Sequence, residues 1–120
     1  VEVHFPGYVS GARKAAFFRL GDLYVFPSRH ESYGLTLVEA LAAGLPVLTT
    51  DHRSARDLVR PEFGLVVNTT AEDLYRGLGE LLEQRENLRL MGERAQAFAL
   101  GLKFEQAADR LAEAIAALTE

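Results

Sequence analysis

The chain has 120 residues, 48% hydrophobic and 25% charged, which is typical of one soluble globular domain and gives no indication of disorder. Its formal net charge of −4 and its scattered arginines provide no basic patch, so we expect no nucleic-acid partner. The lack of cysteine excludes disulfides and thiolate metal sites, and the lack of a long apolar run or a signal-peptide pattern predicts a soluble, cytoplasmic protein.

In the first two thirds of the chain, short apolar segments alternate with helical patterns. Segment 23–27 has no polar alternation, as expected of a strand that helices cover on both faces. This order predicts an α/β fold with a parallel, Rossmann-like sheet, helices on both faces and right-handed crossovers. Strands are expected over residues 1–5, 23–27, 46–49 and 64–67, and helices over 12–20, 34–43 and 54–59.

Several helix ends carry specific signals. Gly44 is expected to be the left-handed cap of helix 34–43. Ser54 is placed as the N-cap of the short helix that follows. Thr70 and Asp73 have the spacing of a capping box, with Asp in place of Glu.

From residue 70 onward the pattern is helical. The first helix has its leucines on one face, and a second helix is expected over residues 88–99. A third helix, over 104–118, carries apolar residues at alternating spacings of four and three, which makes an amphipathic stripe. The sequence thus predicts a helical C-terminal segment after the sheet.

Two glutamates, Glu31 and Glu39, bracket the junction between strand 23–27 and the helix after it. Open α/β sheets bind nucleotides at such junctions. The helix is apolar almost all round, broken only by Thr36 and Glu39. Because an ionised carboxylate is costly to desolvate alone, Glu39 is expected either to face a cleft or to bind a ligand there.

The order of these motifs resembles the donor-binding signature of retaining glycosyltransferases of the GT-B fold, specifically glycosyltransferase family 4. The motifs are P-S at 27–28, E-x7-E at 31–39 with an aromatic-Gly-Leu inside it, and G-x-P-V at 44–47. The resemblance covers nearly the whole chain. It implies that residues 1–120 are part of the C-terminal donor-binding domain, and we expect the N-terminal acceptor-binding domain and the opening strands to be missing.

The resemblance implies transfer of a hexose from a nucleoside-diphosphate sugar to an unknown acceptor (a sugar, a lipid or a glycan), without a metal ion or other cofactor. Glu39 would accept hydrogen bonds from the ribose diol. Glu31 would contact the hydroxyls of the transferred sugar and is the candidate catalytic residue. No residue is a clear general base, so the chemistry would depend on positioning and charge stabilisation.

The remaining candidate residues surround the same junction. Tyr33, Gly34, Leu35 and Thr36 would bind the diphosphate through free amides at the helix N-terminus, with the Thr36 hydroxyl as a further donor. By the same resemblance, Val9 and Lys14 are candidates for contacts with the base. The alternative is that Val9 is a core residue and Lys14 a solvated one.

Some positions depart from the family pattern, and others are assigned no functional role. Residues 51–54 (Asp-His-Arg-Ser) stand where many relatives have Gly-Gly, so this loop is expected to close differently over the site. Asp57 is interpreted as a solvated residue. His4, His30 and His52 lack a recognisable metal-binding spacing and are interpreted as surface or loop histidines.

Two further expectations concern the chain as a whole. It is expected to fold without transferring sugar, because the Arg and Lys that bind the diphosphate in the family would lie upstream of residue 1. The stripe over 104–118 is expected to promote self-association, or else to pack on its own domain. A non-catalytic nucleotide-binding or protein-association domain of the same fold stays open as the alternative function, and docking of the parent protein on a membrane also stays open.

Overall fold

The computed structural model describes residues 2–27 and 35–102, with only the backbone described for Leu35. Within these ranges the α/β prediction is confirmed, because three strands form one parallel sheet in the order β1-β2-β3. The elements are α1 (Gly11–Leu20), β1 (Tyr24–Phe26), α2 (Leu35–Ala42), β2 (Val47–Thr50), α3 (Arg53–Leu58), β3 (Gly64–Val67), α4 (Ala71–Glu83) and α5 (Arg85–Leu100).

Strand pairing assigns side chains to the two faces of the sheet. Phe26 pairs with Thr49, and Leu48 pairs with Leu65. Successive residues of a strand point to opposite faces, so these two pairs lie on opposite sides of the sheet. Helix α4 packs on the Leu48 side, where a Cβ on Gly77 would lie 2.9 Å from Leu48 Cδ1.

The hydrophobic core surrounds the central strand β2, which is buried at every position. Helix α2 contributes Leu37 and Leu41, both fully buried, and α5 contributes Leu88, Met91 and Ala95. Burial of one such aliphatic side chain stabilises the fold by about 1.5–3 kcal/mol. The core therefore fixes α2 between the sheet and α5.

Glycines allow the close approach of α5 to the end of α2. Gly44 has φ of +84°, which confirms the predicted left-handed cap. A Cβ on Gly92 would overlap the carbonyl oxygen of Gly44. The two backbones are therefore in direct contact, and no larger residue fits at position 92 without moving a helix.

The predicted strand over residues 1–5 is wrong for the part that the structure describes. Residues 2–5 carry no strand, and Val3 and Phe5 are 70% and 91% exposed. An apolar alternation forms a strand only where a neighbouring strand supplies hydrogen bonds, and in the described ranges none pairs with this segment.

The structure shows the N-cap residues of two helices, α3 and α4, whose starts were predicted. The Thr70 cap is confirmed, since its hydroxyl accepts a hydrogen bond from the Asp73 amide at 3.1 Å. The Ser54 cap is wrong, because α3 begins at Arg53 and the extended residue before it is His52. Ser54 lies inside the helix and is buried.

The first two helices predicted after residue 70 are present as α4 and α5. The expected helix over 88–99 is present as the longer α5, and Leu81 of α4 packs in the core, whereas Leu82 is 40% exposed. In the described ranges no helix combines the length and the apolar character that a membrane crossing requires. The expected helix over 104–118 lies outside the described residues.

We expect Gly92→Ala to lower the free energy of unfolding by about 1–3 kcal/mol, because the new methyl group would clash with the Gly44 carbonyl. Alanine has the higher helix propensity, so the loss would come from the clash alone. Denaturant unfolding measures the change. Gly79→Ala in α4 is the matched control, since no heavy atom lies within 4 Å of its Cβ position, and it should stabilise slightly. A Gly92→Ala protein as stable as the control would contradict the close packing of Gly92 against the Gly44 carbonyl.

Candidate functional site

Helix α2 presents Glu39 on the side opposite its core face. Leu37, Ala40 and Leu41 are fully buried, whereas Thr36 is half-buried and Glu39, one turn further on, is exposed. This division follows from the helical period, which separates residues 36 and 39 from the apolar stripe. Glu39 can thus keep its charge in contact with solvent while its helix is fixed in the core.

Glu39 pairs with Lys14 of α1. Lys14 Nζ lies 3.1 Å from Glu39 Oε2 and 3.3 Å from Oε1, so the ammonium group bridges both carboxylate oxygens. The side chains are 36% and 46% exposed. Lys14 Nζ also lies 6.0 Å from the centre of the Phe18 ring, at the outer limit of a cation–π contact.

This ion pair lies in a cleft of about 720 Å³. A volume of this size is typical of small-molecule sites. The wall is formed by the segment before α1, by α1 itself, by the second half of α2 and by Gln96 of α5. The residues that give the cleft its character are Val9, Lys14, Phe18, Arg19, Glu39 and Gln96.

The structure brings together three of the predicted site residues. Val9, Lys14 and Glu39, which are up to 30 positions apart in the sequence, line the same cleft. Val9 is half-buried at its wall, and Lys14 is paired with Glu39. Whether Val9 and Lys14 contact a base stays a prediction.

The other predicted site residues lie toward the start of α2. Leu35 is its first residue, and Thr36 is half-buried and does not line the cleft in the described part of the chain. Glu31, Tyr33 and Gly34 lie outside the described residues. Their assigned roles stay predictions.

Arg19 and Gln96 are among the cleft residues that were not predicted from the sequence. Arg19, in the last turn of α1, adds a second cationic side chain to the wall. Gln96 Nε2 donates a hydrogen bond to the Ala42 carbonyl at 3.1 Å and so connects α5 to the end of α2. Gln96 is exposed and does not belong to the buried side of α5, so its sequence position gave no signal for this role.

His52 lies in the loop between β2 and α3, as the interpretation as a surface or loop histidine allowed, but it is not a surface residue, because its residue exposure is only 6%. Its Nδ1 accepts a hydrogen bond from the Ala55 amide at 3.1 Å and so caps α3. Its Nε2 lies 3.1 Å from Thr49 Oγ1, which donates to the Phe26 carbonyl at 2.8 Å. In neutral His52 the proton is therefore on Nε2, and the chain of bonds connects α3 to β2 and β1.

The other two histidines differ from His52. His4 is exposed, with Nε2 at 3.6 Å from a Glu2 oxygen, and His30 lies outside the described residues. Within residues 2–27 and 35–102, no three His, Asp or Glu side chains gather as they would around a metal ion.

The loop that replaces the Gly-Gly of the family is built around His52. Asp51 and Arg56 form an exposed ion pair at 3.6 Å, which is expected to contribute at most about 1 kcal/mol. Ser54 Oγ is buried without a hydrogen-bond partner in the described part of the structure. The histidine cap, rather than the ion pair, therefore holds this loop.

The parallel sheet, its flanking helices and the cleft beside α2 define a Rossmann-like α/β protein. The model of the family described as glycosyl transferases group 1 matches residues 1–98. The chain belongs to this family, and the resemblance to GT-B glycosyltransferases of family 4 is confirmed.

Individual relatives agree with this assignment. A D-inositol 3-phosphate glycosyltransferase from Nocardia farcinica is 41% identical over 108 residues, covering 88% of this chain and 24% of the relative. A GDP-mannose-dependent alpha-mannosyltransferase from Mycolicibacterium smegmatis is 42% identical over 57 residues, covering 48% of this chain and 15% of the relative. Sucrose-phosphate synthase from Thermosynechococcus elongatus superposes with a TM-score of 0.70 at 25% identity, covering 86% of this chain and 27% of that structure.

The chain therefore spans between 15% and 27% of the length of these three proteins. The match over residues 1–98 shows the family to which this chain belongs. The activity of a whole protein, its substrates and its partners do not follow from a match of this extent.

We expect His52→Ala to lower the free energy of unfolding by about 1–3 kcal/mol, because the Ala55 amide loses its acceptor and the Thr49 contact is lost. His52→Asn keeps a capping acceptor and should lose less. Thermal unfolding with circular dichroism measures both. His4→Ala is the control, since that side chain is exposed. Equal stability of His52→Ala and the wild type would rule out the cap.

Proposed function

We propose that this chain forms the donor-binding part of a retaining glycosyltransferase, which transfers a hexose from a nucleoside-diphosphate sugar to an acceptor without a metal ion. The observation that carries the proposal is the position of Glu39, a carboxylate at the wall of a cleft of about 720 Å³ on a helix that is otherwise anchored in the core. The names of the relatives, one of them GDP-mannose-dependent, support this class of donor.

The cleft has the groups that a ribose requires. A carboxylate accepts hydrogen bonds on both oxygens, which matches two neighbouring hydroxyls of a ribose. The side chains of Val9 and Phe18 provide apolar surface at the same wall, against which a base or sugar ring can pack. We therefore assign the ribose to Glu39 and the base to the side of Val9.

The diphosphate is assigned to the N-terminus of α2. The first turn of α2 contains no acidic residue, so no carboxylate of that turn opposes an anion near the positive end of the helix. In this arrangement the sugar would extend toward Glu31, which is proposed to bind its hydroxyls and orient it. Catalysis would then depend on positioning and on stabilisation of the leaving diphosphate, which departs on the face where the acceptor arrives.

The alternative is a domain that binds a nucleotide or a protein without catalysis. It predicts binding of a nucleoside diphosphate, or of a partner, and no turnover of any nucleotide sugar. A donor-hydrolysis and transfer assay with the whole protein that carries this chain separates the two functions. Release of nucleoside diphosphate that depends on an added acceptor would support the enzyme.

We expect Glu39→Ala to weaken nucleoside-diphosphate binding by about 10- to 150-fold, which corresponds to a loss of about 1.5–3 kcal/mol for hydrogen bonds to a charged acceptor. Isothermal titration calorimetry measures the Kd. Glu72→Ala is the matched control, because it also removes a glutamate from an exposed ion pair, with Arg76 at 3.0 Å, but lies on α4 away from the cleft. Unchanged affinity in Glu39→Ala would reject the ribose assignment.

We expect Glu31→Gln to reduce kcat for sugar transfer much more than it weakens binding of the free nucleoside diphosphate, since only the sugar-bearing donor makes the proposed contact. Steady-state kinetics and calorimetry on the same preparation give the two values. Equal losses in both would show that Glu31 acts on the nucleotide instead of the sugar.

A further inference from the structure

The ion pair between Lys14 and Glu39 occupies the front of the Glu39 carboxylate. Lys14 Nζ lies 3.1 Å from Oε2 and 3.3 Å from Oε1, so the ammonium group lies near the bisector of the two C–O bonds. Each oxygen of an ionised carboxylate has two lone pairs, and an ammonium on the bisector uses the two that converge there. The remaining lone pair of each oxygen points away from the other oxygen.

A vicinal diol needs the same two convergent lone pairs. Its hydroxyls are neighbours, so a contact of both hydroxyls with one carboxylate has the bidentate geometry that a guanidinium uses. The ammonium and the diol cannot occupy these positions together. In this structure the carboxylate that is assigned to the ribose is therefore already occupied by a side chain of the protein itself.

The contact is weak enough for a ligand to displace the lysine. Lys14 and Glu39 are 36% and 46% exposed, and exposed ion pairs contribute little because water hydrates both charges once they separate. Helix α1, which carries Lys14, has no buried residue, whereas α2, which carries Glu39, is anchored by the fully buried Leu37 and Leu41. The lysine can thus leave while the carboxylate stays in place.

We propose that Lys14 is an autoinhibitory residue: in the unliganded cleft its ammonium group occupies Glu39, and a nucleotide has to displace it before the ribose diol can bind the carboxylate. This inference rests on the proposed function, because it assumes that Glu39 binds ribose. Removal of such a lysine strengthens ribose binding, whereas removal of a lysine that contacts the ligand, for example its base, weakens binding. The sign of the change in affinity therefore separates the two roles.

The test uses the uncharged nucleosides guanosine, uridine and adenosine, because attraction between the lysine and a diphosphate would obscure the effect. Ligand-observed NMR titration of the whole protein that carries this chain gives the Kd of the nucleoside that binds best. Lys14→Met should lower this Kd by about two- to fivefold, the range that corresponds to the strength of an exposed ion pair. Lys14→Arg should not lower it, since a guanidinium also bridges a carboxylate. Arg13→Met is the matched control, because it removes the same charge from the same helix at a position outside the cleft wall, and it should leave the Kd unchanged.

Salt provides a second readout, which a merely structural role of Lys14 would not move. Dissolved ions screen an exposed ion pair, so the affinity of the wild type for an uncharged nucleoside should rise between low and high salt. Lys14→Met has no such pair to weaken, and its affinity should rise less. Equal salt dependence in the two proteins would overturn the autoinhibitory role.

Glu39→Ala distinguishes failure of this inference from failure of the proposed function. If Glu39→Ala weakens nucleoside binding, and Lys14→Met weakens it too or leaves it unchanged, the autoinhibitory role is overturned while the proposed function stands. If Glu39→Ala leaves the Kd unchanged, or if the wild type binds none of the nucleosides, the ribose assignment fails and the inference fails with it. In the Glu39→Ala background, Lys14→Met should give no gain in affinity, and a gain there would contradict the competition. Circular dichroism checks that each variant is folded, and Lys14→Ala repeats the measurement should the Met variant fail to fold.

Discussion

The backbone contact between α2 and α5 determines where the candidate site lies. Gly44 turns the chain at the end of α2, and Gly92 lets α5 approach its carbonyl directly. Gln96, one turn further along α5, donates to the Ala42 carbonyl and adds a polar connection at the same end. Since close-packed interiors transmit small displacements, a shift of α5 would move the whole of α2, and with it Glu39.

Helix α2 contributes residues both to the core and to the candidate site, and the two sets lie on different sides of the helix. Leu37 and Leu41 are fully buried, and the helical period leaves Glu39 on the remaining side. The helix is thus held by apolar contacts that involve no charged group. A carboxylate carried by such a helix has a fixed Cα position, so the exchange of Lys14 for another partner requires no movement of α2.

Local signals explain which features could be predicted from the sequence. The strand over 64–67, the Gly44 cap and the Thr70 cap depend on residues within a few positions of one another, and all three were found as predicted. The strand expected over residues 1–5 depends on a partner strand that sequence periodicity does not report.

Nonlocal contacts explain what could not be predicted. Serine is preferred over histidine as an N-cap, which is why the sequence favours Ser54 as the N-cap of α3. His52 takes that position instead, held by its contacts with Thr49 and Ala55. The E-x7-E spacing indicated Glu39, but its pairing with Lys14 joins residues 25 positions apart and has no periodic signature. The cleft itself has two unequal walls, since α2 is anchored in the core while α1 has no buried residue. A ligand in contact with both walls would bind against one helix that the core holds in place and one that it does not. We therefore expect ligand-dependent movement to concentrate in α1, the helix that carries Lys14.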